Sequence, residues 1–333
     1  MTDDARSDGG DAAVETGGDA GPSAFEPLSI EAAADLIDDV VDNVERVIVG
    51  KRDAIEHILV ATLARGHVLL EDVPGTGKTM LARSVATSVD ASFRRVQFTP
   101  DLLPSDVTGV NVFNQKTQKF EFQPGPVFAN VVLADEINRA PPKTQSALLE
   151  AMEERQVTVD GDTRGLPEPF VVIATQNDVE TGRTYELPMA EIDRFAKKLR
   201  LGYPENDQEA EIIGRTAGHH PIEELESVTD GEQLRRARET ASRVTLSEPV
   251  RDYISRLAQH TRNKAQLGVS PRGSIALART SQVRALLDER DYVTPDDVQA
   301  EAPSVFAHRI RPRTGSETGE DVVSSALSSV PVE

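Results

Sequence analysis

A chain of 333 residues is long enough for two domains and a full-sized core, and with no Cys it excludes disulfides, thiolate metal sites and cysteine catalysis. No apolar run reaches the roughly 18 residues that a membrane span needs, and the acidic N-terminus is no signal peptide, so the cytoplasm is the expected location. The formal charge of −20, from 56 Asp and Glu against 36 Lys and Arg, repels nucleic acid and anionic membranes.

Residues 1 to 24 are rich in Asp, Gly, Ala and Ser, hold almost nothing large and apolar, and are expected to be disordered. Ser29 is placed to cap an amphipathic helix through Val41, with Glu31 in its first turn. Val47-Ile48-Val49-Gly50 turns the chain inward before a second helix, about Arg52 to Arg65, closed by Gly66. His67-Val68-Leu69-Leu70 reads as a short buried strand, and Met80 to Val89 has helical spacing without a breaker.

Between strand and helix lies Glu71-Asp72-Val73-Pro74-Gly75-Thr76-Gly77-Lys78-Thr79. A glycine-bearing loop entering a helix at Gly-Lys-Thr surrounds a phosphate with backbone N–H groups. Lys78 can reach the β- and γ-phosphates and the Thr79 hydroxyl can ligate Mg²⁺. The usual pattern G-x-x-x-x-G-K-[ST] has Asp72 at its first Gly.

Strand-length apolar runs continue at Phe93 to Phe98, Val131 to Ala134, Phe170 to Thr175 and Lys198 to Leu201, separated by helical stretches. Such alternation argues a parallel sheet with helices on both faces. Two hairpins interrupt it, one over Thr108 to Phe122 around Asn114-Gln115, the other over Val157 to Leu166 with Asp160-Gly161 as its turn. The run Val131 to Ala134 ends in Asp135-Glu136, at the strand edge where open α/β sheets bind ligands. Asp135 suits Mg²⁺ held through its water shell, and Glu136 can accept a proton from an attacking water. Phe170 to Thr175 leads to Gln176 and Asn177, and Asn177 beside the loop could orient that water.

Beyond Pro204 the strands stop, and a domain boundary is expected there. Helices are predicted over about Asn206 to Arg215, Gly231 to Ser242, Pro249 to Arg262, Pro271 to Asp288 and Pro295 to Ala300, the last with Thr294 as cap and Pro295 at its first position. The tail from residue 312, which contains Ser and Gly, is expected to be flexible. His219-His220 has no third metal ligand at useful spacing and reads as a loop.

Together these elements resemble the AAA+ ATPases, and within them the MoxR group. Its characteristic run is nearly reproduced by Leu133-Ala134-Asp135-Glu136-Ile137-Asn138-Arg139-Ala140-Pro141-Pro142-Lys143-Thr144-Gln145, and further matches are the stretch from Gln97 to Asp106 and Pro124-Gly125-Pro126. The resemblance spans about 28 to 311. It implies an α/β fold: an AAA+ P-loop domain over 25–204, with a parallel five-stranded sheet and β-hairpin inserts, and an all-helical lid domain over 205–311.

By that resemblance, Lys78 and Thr79 are the nucleotide-loop pair, with Pro74, Gly75, Thr76, Gly77 and Met80 around them. Asp135 and Glu136 are the metal and water carboxylates, and Asn177 is the first sensor. Arg194, in Ile192-Asp193-Arg194-Phe195, matches the arginine finger that reaches a neighbouring subunit's nucleotide. Arg272, in Ser270-Pro271-Arg272-Gly273, matches the second sensor on the lid, and Val49 and Gly50 match the adenine-pocket segment. The hairpins match inserts aimed at the pore of a ring, and Arg139 and Lys143 could face a neighbouring subunit. Three positions depart from the group: Asp72, Met189 where Glu is usual, and Asp178 where Pro is common.

The resemblance implies an ATP hydrolase using ATP and Mg²⁺, in a homo-oligomeric ring, expected to be a hexamer. It would remodel or mature protein complexes, chaperone-like, with a von Willebrand factor A domain partner and metal-cofactor insertion as one form of the task. A nucleic-acid motor is the rival, but the hairpins offer Lys116, Lys119 and Arg164 against Glu121, Asp160 and Asp162. A nucleotide-gated adaptor with little turnover is the third reading, against which the full catalytic set argues. The acidic surface, in which 28 Arg stand beside only 8 Lys, suits molar salt, where screening weakens self-repulsion, so a halophilic source is expected.

Overall fold

The structure is a computed structural model and describes residues 25–176, 185–218 and 220–332. The acidic segment 1–24, Asn177, Asp178 and His219 lie outside the described residues. Helices α1 (Ile30–Glu45) and α2 (Arg52–Leu63) lead into β1 (Val68–Glu71), α3 (Lys78–Ser88) and β2 (Phe93–Gln97). The short α4 (Pro104–Thr108) precedes a hairpin of β3 (Gly109–Asn114) and β4 (Lys119–Pro124). Then come β5 (Val131–Asp135), α5 (Pro142–Glu154), a second hairpin of β6 (Gln156–Val159) and β7 (Asp162–Gly165), β8 (Val171–Gln176), α6 (Met189–Ile192) and β9 (Lys197–Leu199). The remainder is helical: α7 (Asn206–Thr216), α8 (Gly231–Arg243), α9 (Glu248–Lys264), α10 (Pro271–Leu287), α11 (Pro295–Phe306) and α12 (Gly319–Ser329).

Among the described residues a five-stranded sheet runs in the order β2-β5-β8-β1-β9, all neighbours parallel. Its central strands β5, β8 and β1 are apolar on both faces, as a sheet covered on both sides requires. Period-two alternation sorts them: Val68, Leu70, Leu133 and Ile173 join one core, while Leu69, Val132, Ala134, Val172 and Ala174 join the other. The first core holds α1, α2, α3 and the C-terminal helices together, including Tyr253, Leu277, Leu286 and Phe306. Helices α8 to α12 therefore share one core with α1 and α2 rather than having their own, while α7 buries no residue.

Two expectations fail. The tail was expected to be flexible, yet its last helix α12 is capped by Thr318 and Asp321 and buries Val322, Val323 and Ala326. Those residues stand at helical spacing, and burial of one face outweighs the Ser-rich composition. Helix α11 does not stop at Ala300 but passes through Pro303 to Phe306. A proline inside a helix costs about 3 kcal/mol or more. Full burial of Val305 and Phe306 offsets it, at about 1.5–3 kcal/mol per large apolar side chain.

Candidate active site

The phosphate loop springs from the carboxyl end of β1. Gly75 (φ 85°) and Gly77 (φ 86°) adopt left-handed backbone, and nothing lies within 4 Å of where a Cβ would stand. The backbone conformation, not crowding, demands glycine there, and the space over the loop stays open. Gly77 is the N-cap of α3 and no side chain caps that helix, so its first amides face this space. Lys78 Nζ lies along the loop, donating to the carbonyls of Val73 (2.7 Å) and Asp72 (3.2 Å), and the Thr76 hydroxyl reaches Val73 O at 3.4 Å.

Asp72, the departure from the usual glycine, is buried. Its Oδ1 accepts from Val73 N (2.8 Å), and its Oδ2 from the amides of Leu201 and Gly202 (both 2.9 Å). The carboxylate thus ties the start of the phosphate loop to the segment that leaves β9 for the helical region. Beside it, burial pushes the Glu71 carboxyl up, but hydrogen bonds from Lys198 and Arg200 outweigh this and hold it below the usual range.

The two carboxylates face the loop from the end of β5. Asp135 Oδ1 accepts from Thr175 Oγ1 (2.6 Å), and its Oδ2 accepts from Arg95 Nη2 (2.6 Å) and Nε (3.1 Å). Glu136 sits in left-handed backbone, φ 56° and ψ 50°, a conformation that for a non-glycine persists only where its surroundings enforce it. They do so here: its N–H lies 2.8 Å from Thr175 Oγ1, and its Oε2 accepts from Gln97 Nε2 (2.5 Å) and Arg139 Nη1 (2.8 Å). Arg139 therefore pairs with Glu136 of its own chain.

Lys78, Thr79, Arg95, Asp135, Glu136 and Thr175 line one cleft of about 420 Å³, with Pro74, Gly75, Gly77 and Met80 at its rim. A hydroxyl and one carboxylate are the hard oxygen donors that Mg²⁺ takes alongside nucleotide phosphates and waters. The donors present fit such a shared site and no all-protein cage, and no group of three or more acidic or His residues suited to a metal occurs among the described residues. Arg95, Gln97 and Thr175 were missed by sequence reasoning. Strand β8 brings Gln176 to the cleft; Asn177, which follows it, lies outside the described residues.

Val49 and Gly50 do not line this cleft. Gly50 (φ 68°) packs against α7 so closely that a Cβ would stand 2.3 Å from the Gln208 side chain. Next to it, Lys51 Nζ donates to Leu201 O at 2.6 Å.

Arg194 and Arg272 are not brought to the phosphate loop of their own chain. Ala196 N donates to His67 O (2.8 Å), so the segment carrying Arg194 meets the amino end of β1, while the loop leaves its carboxyl end. A four-residue strand separates the two by about 13 Å. Arg194 Nε lies 3.3 Å from Glu153 Oε2, and Arg272 Nη2 hydrogen-bonds the other oxygen of the same carboxylate. Both line a second cleft of about 410 Å³ together with Arg65, Arg155, Arg279 and Asp193. Two guanidinium groups share one acidic partner, on a face rich in Arg within a strongly acidic chain.

Residues 67–197 match the model of the ATPase family associated with various cellular activities, and residues 257–326 match the AAA lid domain. The chain is 52% identical over 303 residues to YeaC of Bacillus subtilis, an uncharacterised protein, covering 89% of this chain and 95% of that one. It is 41% identical over 303 residues to the chaperone MoxR1 of Mycobacterium tuberculosis, covering 88% and 79%. Identity to the protein MoxR of Methylorubrum extorquens is 31% over 293 residues, covering 80% and 85%. A crystal structure from Cytophaga hutchinsonii, described as a candidate ATPase, superposes with a TM-score of 0.86 at 36% identity, covering 91% of this chain and 97% of that one.

Proposed function

This chain belongs to the MoxR family of AAA+ ATPases and is an ATP hydrolase, and from that premise we propose that its active site is completed only between subunits of a ring. The observation that carries the reading is the distance between the phosphate loop and the pair Arg194 and Arg272, which lie at opposite ends of β1. Among the described residues, the guanidinium groups at the cleft that holds Lys78, Asp135 and Glu136 are those of Arg95 and Arg139, each paired with one of its carboxylates, and neither Arg194 nor Arg272 lines it. A neighbouring copy presenting its arginine face supplies one.

In the proposed site the amides that open α3 and Lys78 hold the β- and γ-phosphates. Thr79 and Asp135, the latter through water, would hold Mg²⁺, which when bound neutralises charge on the phosphate oxygens. Glu136 takes a proton from water as the water oxygen bonds to the γ-phosphorus. The bond to the bridging oxygen breaks, and ADP and phosphate leave. Asn177 is assigned the orientation of that water, and Val49 and Gly50 the adenine side. Arg194 of the adjacent subunit stabilises the charge that develops on the transferred group, with Arg272 beside it.

The reading extends to a hexameric ring that remodels or matures protein complexes in the cytoplasm, with a von Willebrand factor A domain protein as partner and metal-cofactor insertion among its tasks. A relative named as a chaperone supports this direction. So does the first hairpin, which exposes Val110, Phe113 and Phe120, an apolar surface suited to protein clients on a chain whose charge repels nucleic acid. The same charge supports a saline cell as the source. Arg194→Ala tests the reading: nucleotide binding is retained while hydrolysis falls roughly 10³-fold or more, as for other arginine fingers. Retention of most of the wild-type rate would refute it.

A further inference from the structure

We propose that Arg309, together with Ser270, is a positioning residue that fastens the segment bearing Arg194 to the first turn of α10 bearing Arg272, so that one rigid unit presents both arginines to the neighbouring nucleotide. The proposal rests on the shared-site reading above.

Arg309 is 3% exposed, and most of its fork is spent on the finger segment, while Nη1 also meets Val305 O and His308 Nε2 beside it in the chain. Nε donates to Asp193 Oδ1 (2.8 Å), Nη2 donates to the carbonyls of Phe195 (2.5 Å) and Asp193 (3.0 Å), and Nη1 reaches Ala196 O (3.2 Å). These groups flank Arg194 on both sides. His308 Nε2 adds a contact to Phe195 O at 3.1 Å. From α10, the Ser270 hydroxyl lies 2.8 and 3.0 Å from the two oxygens of Asp193 and accepts from Gly273 N (3.2 Å). Gly273 itself lies against the clamp: a Cβ there would stand 2.7 Å from Arg309 Cδ. The Asp193 carboxylate therefore links the buried guanidinium, which holds the backbone around Arg194, to the Ser270 hydroxyl at the head of the turn that carries Arg272.

The finger segment needs such an outside hold. Its helix α6 has four residues, none of them buried, and Met189 stands at its start where the group usually has Glu. A buried cation is a poor way to gain stability, because an apolar side chain of equal size often packs as well or better. Arg fixes geometry: its planar fork orients three carbonyls and a carboxylate at once, which neither Met nor Lys can do.

The test uses the full chain with Arg309→Lys, which keeps the charge and loses the fork, and Ser270→Ala as a milder variant. Each is assayed for ATP binding, steady-state hydrolysis and hydrolysis after mixing with Glu136→Gln subunits. Misplacement of the finger by an ångström is expected to lower kcat about 10²-fold with KM for ATP unchanged. Mixing should restore activity, because an Arg309→Lys subunit keeps an intact loop and can use the finger of a Glu136→Gln neighbour. A subunit damaged throughout would gain nothing from mixing. Should Arg309→Lys not fold, Ser270→Ala carries the same expectation with a smaller loss. An Arg194→Ala mixture run in parallel separates the two claims. If it recovers and the Arg309→Lys or Ser270→Ala mixture does not, or if both variants keep wild-type kcat, the clamp is overturned. If the Arg194→Ala mixture itself fails to recover, the shared site falls and the clamp with it.

Discussion

Asp72 shows how a departure from a motif can be a structural commitment. Glycine in its place would leave the amides of Val73, Leu201 and Gly202 without the acceptor they now share. A buried donor left unpaired costs about 1–3 kcal/mol. Asp72→Gly, although it restores the consensus loop, is therefore expected to lower unfolding free energy by roughly 2–4 kcal/mol in denaturant titrations and to weaken ATP binding. Equal or higher stability would remove Asp72 from this role. The motif itself was legible because its residues are contiguous, whereas Arg95 was not. Gln97 pairs with Asp135 in the register of β2 and β5, and Arg95, two residues earlier, lies on the same face of the strand. Its contact with Asp135 depends on strand pairing, which nothing local in Phe93-Arg94-Arg95-Val96 encodes.

At the scale of elements, short continuous apolar runs located the five sheet strands, because the central ones are apolar on both faces, and alternation around Asn114-Gln115 and the Asp160-Gly161 turn located the two hairpins. What composition hid was α12. Thr318 and Asp321 form a capping box, the signature of a helix start, but the surrounding Ser and Gly suggested mobility. The packing of α12 gives Val323→Ala a measurable penalty of about 2 kcal/mol in unfolding free energy, as expected for two methyl groups lost from a buried site. A flexible tail would give none. Pro303 misled in the same way, since a local breaker rule cannot weigh the tertiary burial of the turn that follows it.

Across the whole molecule, buried titratable groups join the nucleotide-binding part to the helical part. Lys197 of β9 and Glu301 of α11 form a fully buried pair, with Arg284 of α10 at 3.0 Å from Glu301 and His57 of α2 at 2.7 Å from Lys197. Burial, followed by the charge of Lys197, lowers His57 from 6.5 to about 4, and burial lowers His67 to about 4 as well. His67 Nδ1 accepts from Val172 N while Nε2 meets the carbonyl of Met152, so a second ring proton would face a donor. Because the folded value lies below the unfolded one, the unfolded chain binds more protons between about pH 4 and pH 6.5. The stability contributed by neutral His67 is complete above that window and is lost as pH falls through it, on the order of 3 kcal/mol. Depressed carboxylates such as Glu301 act in the same direction at the acid end. Thermal melts should therefore fall steeply from pH 7 to pH 4.5. A flat profile would contradict neutral burial of these rings.

In the proposed shared site the proton acceptor Glu136 and the charge of Arg194 come from different subunits, because within one chain they lie at opposite edges of the sheet. Steady-state ATP hydrolysis by a mixture of Arg194→Ala and Glu136→Gln subunits tests this most directly. Each variant alone is expected to be nearly inactive, and the mixture should recover activity wherever an intact cleft meets an intact finger. A mixture no more active than the sum of its parts would contradict a site shared between subunits.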